Sequence, residues 1–162
     1  MKEIVMFFLS GKQYGIEISN MQGLENYSPM AAMEGVGGKF LGIVTIRGEM
    51  IPVINIKKCM VLPPAGVTAE TKYVVLRTSH GDAAIVVDGV SEIVQIEGED
   101  IQPCPMLIAG DKTGYVDFVA RKDDHLVLCV KPDGLLSDSE WTEINKILKE
   151  KEAELQNGDK DD

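Results

Sequence analysis

The side chains of this chain that could do chemistry are few and far apart. Gly35-Val36-Gly37-Gly38-Lys39 invites comparison with a phosphate-cradling loop, but the first glycine of Gly-x-x-x-x-Gly-Lys is Met33 here and the Ser/Thr position is Phe40. It reads as a flexible loop. His80 falls in an expected hairpin turn and His125 opens a strand; standing 45 positions apart without ligand-spaced neighbours, they read as surface residues rather than metal ligands or triad members. Cys59, Cys104 and Cys129 form an odd set with no Cys-x-x-Cys spacing, which fits a reducing compartment. Asp88 is the one carboxylate in the apolar run Ile85-Val86-Val87-Asp88-Gly89-Val90, and an acid beside glycine at a strand end is expected to accept backbone hydrogen bonds. No catalytic residue, metal site or cofactor is expected, and binding is favoured over chemistry.

Composition narrows the partners. The net charge of −10 argues against nucleic acid or an anionic lipid surface, and 162 residues with 44% hydrophobic content suit one ordinary domain or two small, mutually buried ones. Residues 137–162 hold nine acids and four lysines, so about half of the charge excess lies in that tail. Ile-Val-Met-Phe-Phe-Leu at 4–9 is too short for a signal-peptide core, and no run approaches bilayer length. A cytoplasmic protein without membrane insertion is expected.

The elements that must position any binding surface come in two copies. Val5, Phe7, Ile16, Ile18, Met21 and Leu24 recur 69 positions later as Val74, Leu76, Ile85, Val87, Val90 and Ile93, nearly all apolar. Arg47, Val53, Ile54 and Ile56 find a weaker echo in Arg121, Val127, Leu128 and Val130 at an offset of 74. Such a duplication predicts a pseudo-symmetric scaffold with a groove between its halves. Strands are expected near 4–9, 13–18, 42–47, 50–56, 73–78, 83–88, 92–96, 115–120 and 126–130, an all-β barrel pattern, with hairpins at Ser10-Gly11, Gly48, Gly81 and Asp123-Asp124. Pro63-Pro64-Ala65-Gly66 interrupts both periodicities, dividing the body into about 1–66 and 67–136. From Ser137 onward a capping box with Glu140 and the stripe Trp141, Ile144, Ile147 and Leu148 predict an amphipathic helix with an acidic tail to 162, packed on the parent barrel.

Arg47 stands in Ile46-Arg47-Gly48, and there the pattern becomes specific. Tyr14-Gly15-Ile16, Gly42 with Ile46-Arg47-Gly48, Ile51-Pro52-Val53-Ile54, and Val87-Asp88-Gly89-Val90 followed by Ile101-Gln102-Pro103 occur in family order, and the chain resembles the bacterial chemotaxis coupling (CheW-like) family over residues 4–136. The resemblance implies two five-stranded, SH3-like barrels related by a pseudo-twofold axis. It also implies a non-enzymatic adaptor between the cytoplasmic hairpin tip of methyl-accepting chemoreceptors and the CheW-like regulatory domain of the histidine kinase CheA, recruited to membrane-bound receptor arrays.

By the same resemblance, receptor contacts fall on Met21, Leu24, Gly42, Val90 and Ile93, and kinase contacts on Leu41, Arg47 and Met50. For Met21, Leu24, Val90 and Ile93 the alternative is simple core packing; for Arg47 it is a structural arginine holding a turn or carboxylate. The chain departs from the family at Gly23, where a glutamate is usual, at Asn55, where an aspartate is usual, and before Phe40, where prolines are missing. These departures bear on kinase affinity more than on fold. A CheW-like scaffold for another protein partner, and a small-ligand β-barrel, stay open as alternatives.

Overall fold

Three of the hairpins begin with the same local backbone decision. Ser10-Gly11 (φ 52° and 83°), Arg47-Gly48 (52° and 82°) and Asp123-Asp124 (50° and 64°) all take two successive positive φ angles. That is the geometry whose twist suits a two-residue link between antiparallel strands. The structure, a computed structural model, describes residues 1–102 and 114–160, the last five of these in backbone only. Its strands are β1 (Lys2–Leu9), β2 (Lys12–Glu17), β3 (Met21–Asn26), β4 (Ala31–Ala32), β5 (Phe40–Ile46), β6 (Glu49–Ile54), β7 (Lys72–Thr78), β8 (Gly81–Val87), β9 (Gly89–Ile96), β10 (Ile101–Gln102), β11 (Val116–Lys122) and β12 (His125–Val130). A one-turn helix α1 spans Ile56–Cys59 and a long helix α2 spans Asp138–Lys160. Cys104 and Pro103 lie outside the described residues.

The strand orders are β10-β11-β12-β2-β1-β9 and β3-β7-β8-β6-β5-β4. Each sheet has five long strands and one two-residue strand, the all-β architecture that the strand pattern predicts and the double SH3-like barrel that the family resemblance implies. Replacing β1–β6 by β7–β12 in turn converts one order into the other. The registers agree: Val5 lies opposite Ile16 and Ile93, and Val74 opposite Ile85 and Leu24.

The two sheets do not, however, divide the chain near residue 66. The repeats meet there, but β1 and β2 pair with β9–β12, while β7 and β8 pair with β3–β6. Each barrel is therefore built from both repeats. The second part of the repeat also has a different offset: β5 and β6 match β11 and β12 at 76 positions, with Phe40–Ile54 equivalent to Val116–Val130. The expected 74 is off by two residues. A two-residue slip keeps every side chain on its face, so apolar alternation alone cannot detect it.

Burial follows from this exchange. The second barrel closes on Ile4, Met6, Phe118, Val127 and Cys129, and the first on Val44, Ile51, Val53, Tyr73 and Val75. A larger cluster, including Phe7, Ile16, Ile54, Leu76 and Ile85, joins the two and takes in Trp141 and Ile144 of α2. The capping box forms in both directions: Ser137 N–H donates to Glu140 Oε1 at 2.8 Å, and Glu140 N–H to Ser137 Oγ at 3.2 Å. Lys39 Nζ reaches Glu140 Oε2 at 3.0 Å, which ties the glycine-rich loop to the helix start.

Candidate functional site

A strand that the sequence pattern misses builds one wall of the site. Met-Gln-Gly-Leu-Glu-Asn has a glycine, an asparagine and no β-branched residue, so β3 owes its conformation to pairing with β7 rather than to propensity. Its equivalent, β9, pairs with β1. Both are edge strands, one in each sheet. Met21 lies opposite Leu76, and Val90 opposite Phe7, which are equivalent positions across the pseudo-twofold.

Between these two edges runs a groove of about 290 Å³. Val5, Ile18, Met21, Leu24, Val90 and Ile93 line it, with Glu92, Gln22 and Gly23 at its margin. Met21 and Val90 are half-buried against the shared core, whereas Leu24 is 43% and Ile93 61% exposed. Pure core packing is thus ruled out for the outer pair. Burying one such side chain fully is worth about 1.5–3 kcal/mol, so an apolar partner surface would find a substantial drive here.

Gly42 is not in this groove. It sits in β5 against β4 with φ 153°, where a Cβ would fall 2.3 Å from the Ala31 carbonyl oxygen. Its role is to let two strands approach. Nor do Leu41, Arg47 and Met50 converge. Leu41 borders a cleft with Tyr27, Met30 and Val67; Arg47 borders another with Gly23, Glu25 and Asp82; Met50 faces Glu152 and Leu155 of α2. Arg47 is 79% exposed and pairs with Glu25 at 3.0 Å.

Two polar residues hold the frame. Asp88, where the chain passes from one sheet to the other, accepts from Ser10 N–H at 2.7 Å and pairs with Lys57 at 2.8 Å, as a structural carboxylate would. Asn55 caps α1 by accepting from Lys58 N–H at 3.2 Å and donates through Nδ2 to the Gly38 carbonyl, also at 3.2 Å. An aspartate could not make the second bond. His80, expected at the surface, is instead partly covered: it stacks on Trp141 with ring centres 5.5 Å apart. The long-range helix contact left no local signal.

Among the described residues the geometry prepares neither cysteine as a nucleophile. Burial pushes the Cys59 thiol up to about 11 and the Cys129 thiol to about 12, so both stay protonated and inert at neutral pH. Among the described residues no group of three His, Cys, Asp or Glu side chains is placed to hold a metal ion. No described helix is long and apolar enough to cross a membrane.

Two exchanged barrels with an apolar groove between equivalent edge strands define a protein-binding scaffold. Residues 3–140 match the family model of the CheW-like domain, and the chain belongs to that family. It is 24% identical over 148 residues to the chemotaxis protein CheW of Klebsiella aerogenes, covering 91% of this chain and 89% of that one. It is 25% identical over 149 residues to CheW of Treponema pallidum, covering 90% and 88%. The scaffolding protein TtCheW of Thermoanaerobacter tengcongensis superimposes with a TM-score of 0.77 at 25% identity, over 86% of this chain and 90% of that structure.

Proposed function

We propose that this chain is a non-enzymatic chemotaxis adaptor that couples methyl-accepting receptors to the histidine kinase CheA. The observation that carries this reading is the groove, in which two symmetry-equivalent edge strands offer Met21, Leu24, Val90 and Ile93 as one apolar lining. A receptor hairpin tip is helical, and an amphipathic helix laid in a groove needs such a lining. Gly42, buried where β5 meets β4, is given no direct groove contact in this reading. The kinase side falls on the first barrel, with Arg47 as its exposed charge and Leu41 and Met50 as apolar positions on separate surfaces of the same β5–β6 hairpin. Binding both partners would recruit the protein to the receptor array.

The test measures phosphate incorporation into CheA with receptor present, with and without this protein. A receptor-dependent increase is expected, with no turnover by the protein alone. An unchanged rate would reject the coupling role.

A further inference from the structure

The pseudo-twofold gives each feature of one barrel a counterpart in the other. In the first barrel, β6 and β8 run parallel and pair only at Val53–Ala84 and Ile54–Ile85. Beyond those pairs the β6–β8 ladder stops, and α2 lies over this seam, touching both β6 and the β7–β8 turn. Trp141 stacks on His80 with ring planes 9° apart, Asn145 Nδ2 donates to the His80 carbonyl at 3.2 Å, and Asp138 lies 3.3 Å from His80 Nε2. Met50 packs on the cluster that holds Trp141 and Ile144.

In the second barrel, β12 and β2 pair in parallel at Cys129–Gly15 alone and leave the same seam. By the two offsets, the counterparts of His80 and Met50 are Gly11 and Leu126. Here the seam is a groove of about 470 Å³ lined by Gly11, Lys12, Gln13, Tyr14, Leu126 and Leu128, among others. Leu126 is 64% exposed, whereas Met50 is half-buried. The groove shares no lining residue with the one between β3 and β9.

We propose that the β2–β12 seam docks an amphipathic helix of a partner protein, one that presents an aromatic residue followed by aliphatic residues at three- and four-residue spacing, with acids in its first turn. The first barrel shows a helix of that pattern on the equivalent seam. Charge selects the acids: Lys12 is exposed and has no ion pair among the described residues. At the matching place in the first barrel, the first-turn residues Asp138 and Glu140 meet His80 and Lys39. Acids there also suit the positive end of the incoming helix. A second copy of this chain is the poorer occupant, since its α2 already buries Trp141 and Ile144 at home.

The probe is a fluorescein-labelled synthetic peptide with the sequence of residues 137–156, titrated into the full-length chain. Saturable binding is expected, with backbone amide shifts at 12–14 and 125–128. Leu126→Asp should weaken it by at least about tenfold, since it places a charge in the apolar contact. Lys12→Glu should weaken it about threefold, in line with an exposed ion pair, and remains decisive if Leu126→Asp impairs folding. Shifts confined to 49–52 and 80–83, which would mark exchange with the chain's own helix, would overturn the proposal, as would no saturation at millimolar peptide. Sedimentation velocity of the full chain should show a monomer. A concentration-dependent dimer abolished by Leu126→Asp would give the seam to a second copy and overturn the partner assignment.

Discussion

Arg47 pairs with Glu25 at 3.0 Å, joining the β5–β6 turn to the edge strand β3. In the second barrel the corresponding closure is made by Lys122 and Glu92, whose counterparts in the first are Ile46 and Gly23. Each barrel thus has an ion pair at its groove-lining edge strand, placed differently. Arg47 has its acid in Glu25, two positions on from Gly23, where the family resemblance leads one to expect a glutamate.

The first prediction tests that substitution. A Cβ added at Gly23 meets nothing within 4 Å, so Gly23→Glu should fold and place a second acid beside Arg47. Titration calorimetry with the CheA regulatory domain should show binding strengthened by about 0.5–1 kcal/mol, the scale of an exposed ion pair. Glu25→Gln should weaken binding. If Gly23→Glu weakens the kinase contact, the assignment of Arg47 to that interface is wrong.

The second concerns the groove. Ile93 is largely exposed, so Ile93→Asp should leave the melting temperature nearly unchanged while costing about 2 kcal/mol or more in affinity for a receptor-tip helix. Val90 also packs on the shared core, so Val90→Asp should lower both affinity and stability. Equal receptor affinity for Ile93→Asp and the parent chain would remove Ile93 from the interface.

The third separates a kinase contact from a structural one. Met50 packs on the shared core and faces Glu152 and Leu155, so Met50→Ala removes apolar contact at α2 as well as any partner surface. About 1–2 kcal/mol of stability should be lost, or roughly 2–8 °C in melting temperature, together with a weaker kinase contact. An unchanged melt with weaker kinase binding would mark Met50 as a surface residue only.

What could be read in advance follows a physical division. The repeat at offset 69, the hairpin turns and the Ser137–Glu140 capping box are local or periodic features, and the structure contains them all. The exchange of β1–β2 with β7–β8 was not legible, because apolar alternation says which face of a strand is buried but not which sheet it joins. β3 was missed since its strand state comes from β7, and the stacking of His80 on Trp141 depends on where a helix 61 positions away comes to rest. Of the candidate positions, Met21, Leu24, Val90 and Ile93 do meet in one groove, while Leu41, Arg47 and Met50 border three different surfaces. The apolar repeat itself encoded the first grouping; the second rested on resemblance alone.

The last prediction links the helix cap to pH. Burial raises the Glu140 carboxyl, but hydrogen bonds from the Ser137 backbone, Lys39 and the Ser137 hydroxyl, with the charge of Lys39, outweigh it and hold the group below its ordinary value of 4.5. The unfolded chain therefore binds a proton at Glu140 more readily than the folded one, and the carboxylate's stabilising effect is complete only above the unfolded value. It is lost as pH falls through the lower, folded value. Glu140→Gln keeps the shape and an acceptor for the cap but removes the charge that meets Lys39 and the helix dipole. At neutral pH it should cost about 0.5–1 kcal/mol in urea unfolding. That difference should shrink toward zero as the pH drops below 4.5, and a cost that stays constant down to pH 3 would show that the charge at Glu140 contributes nothing and that shape alone sustains the cap.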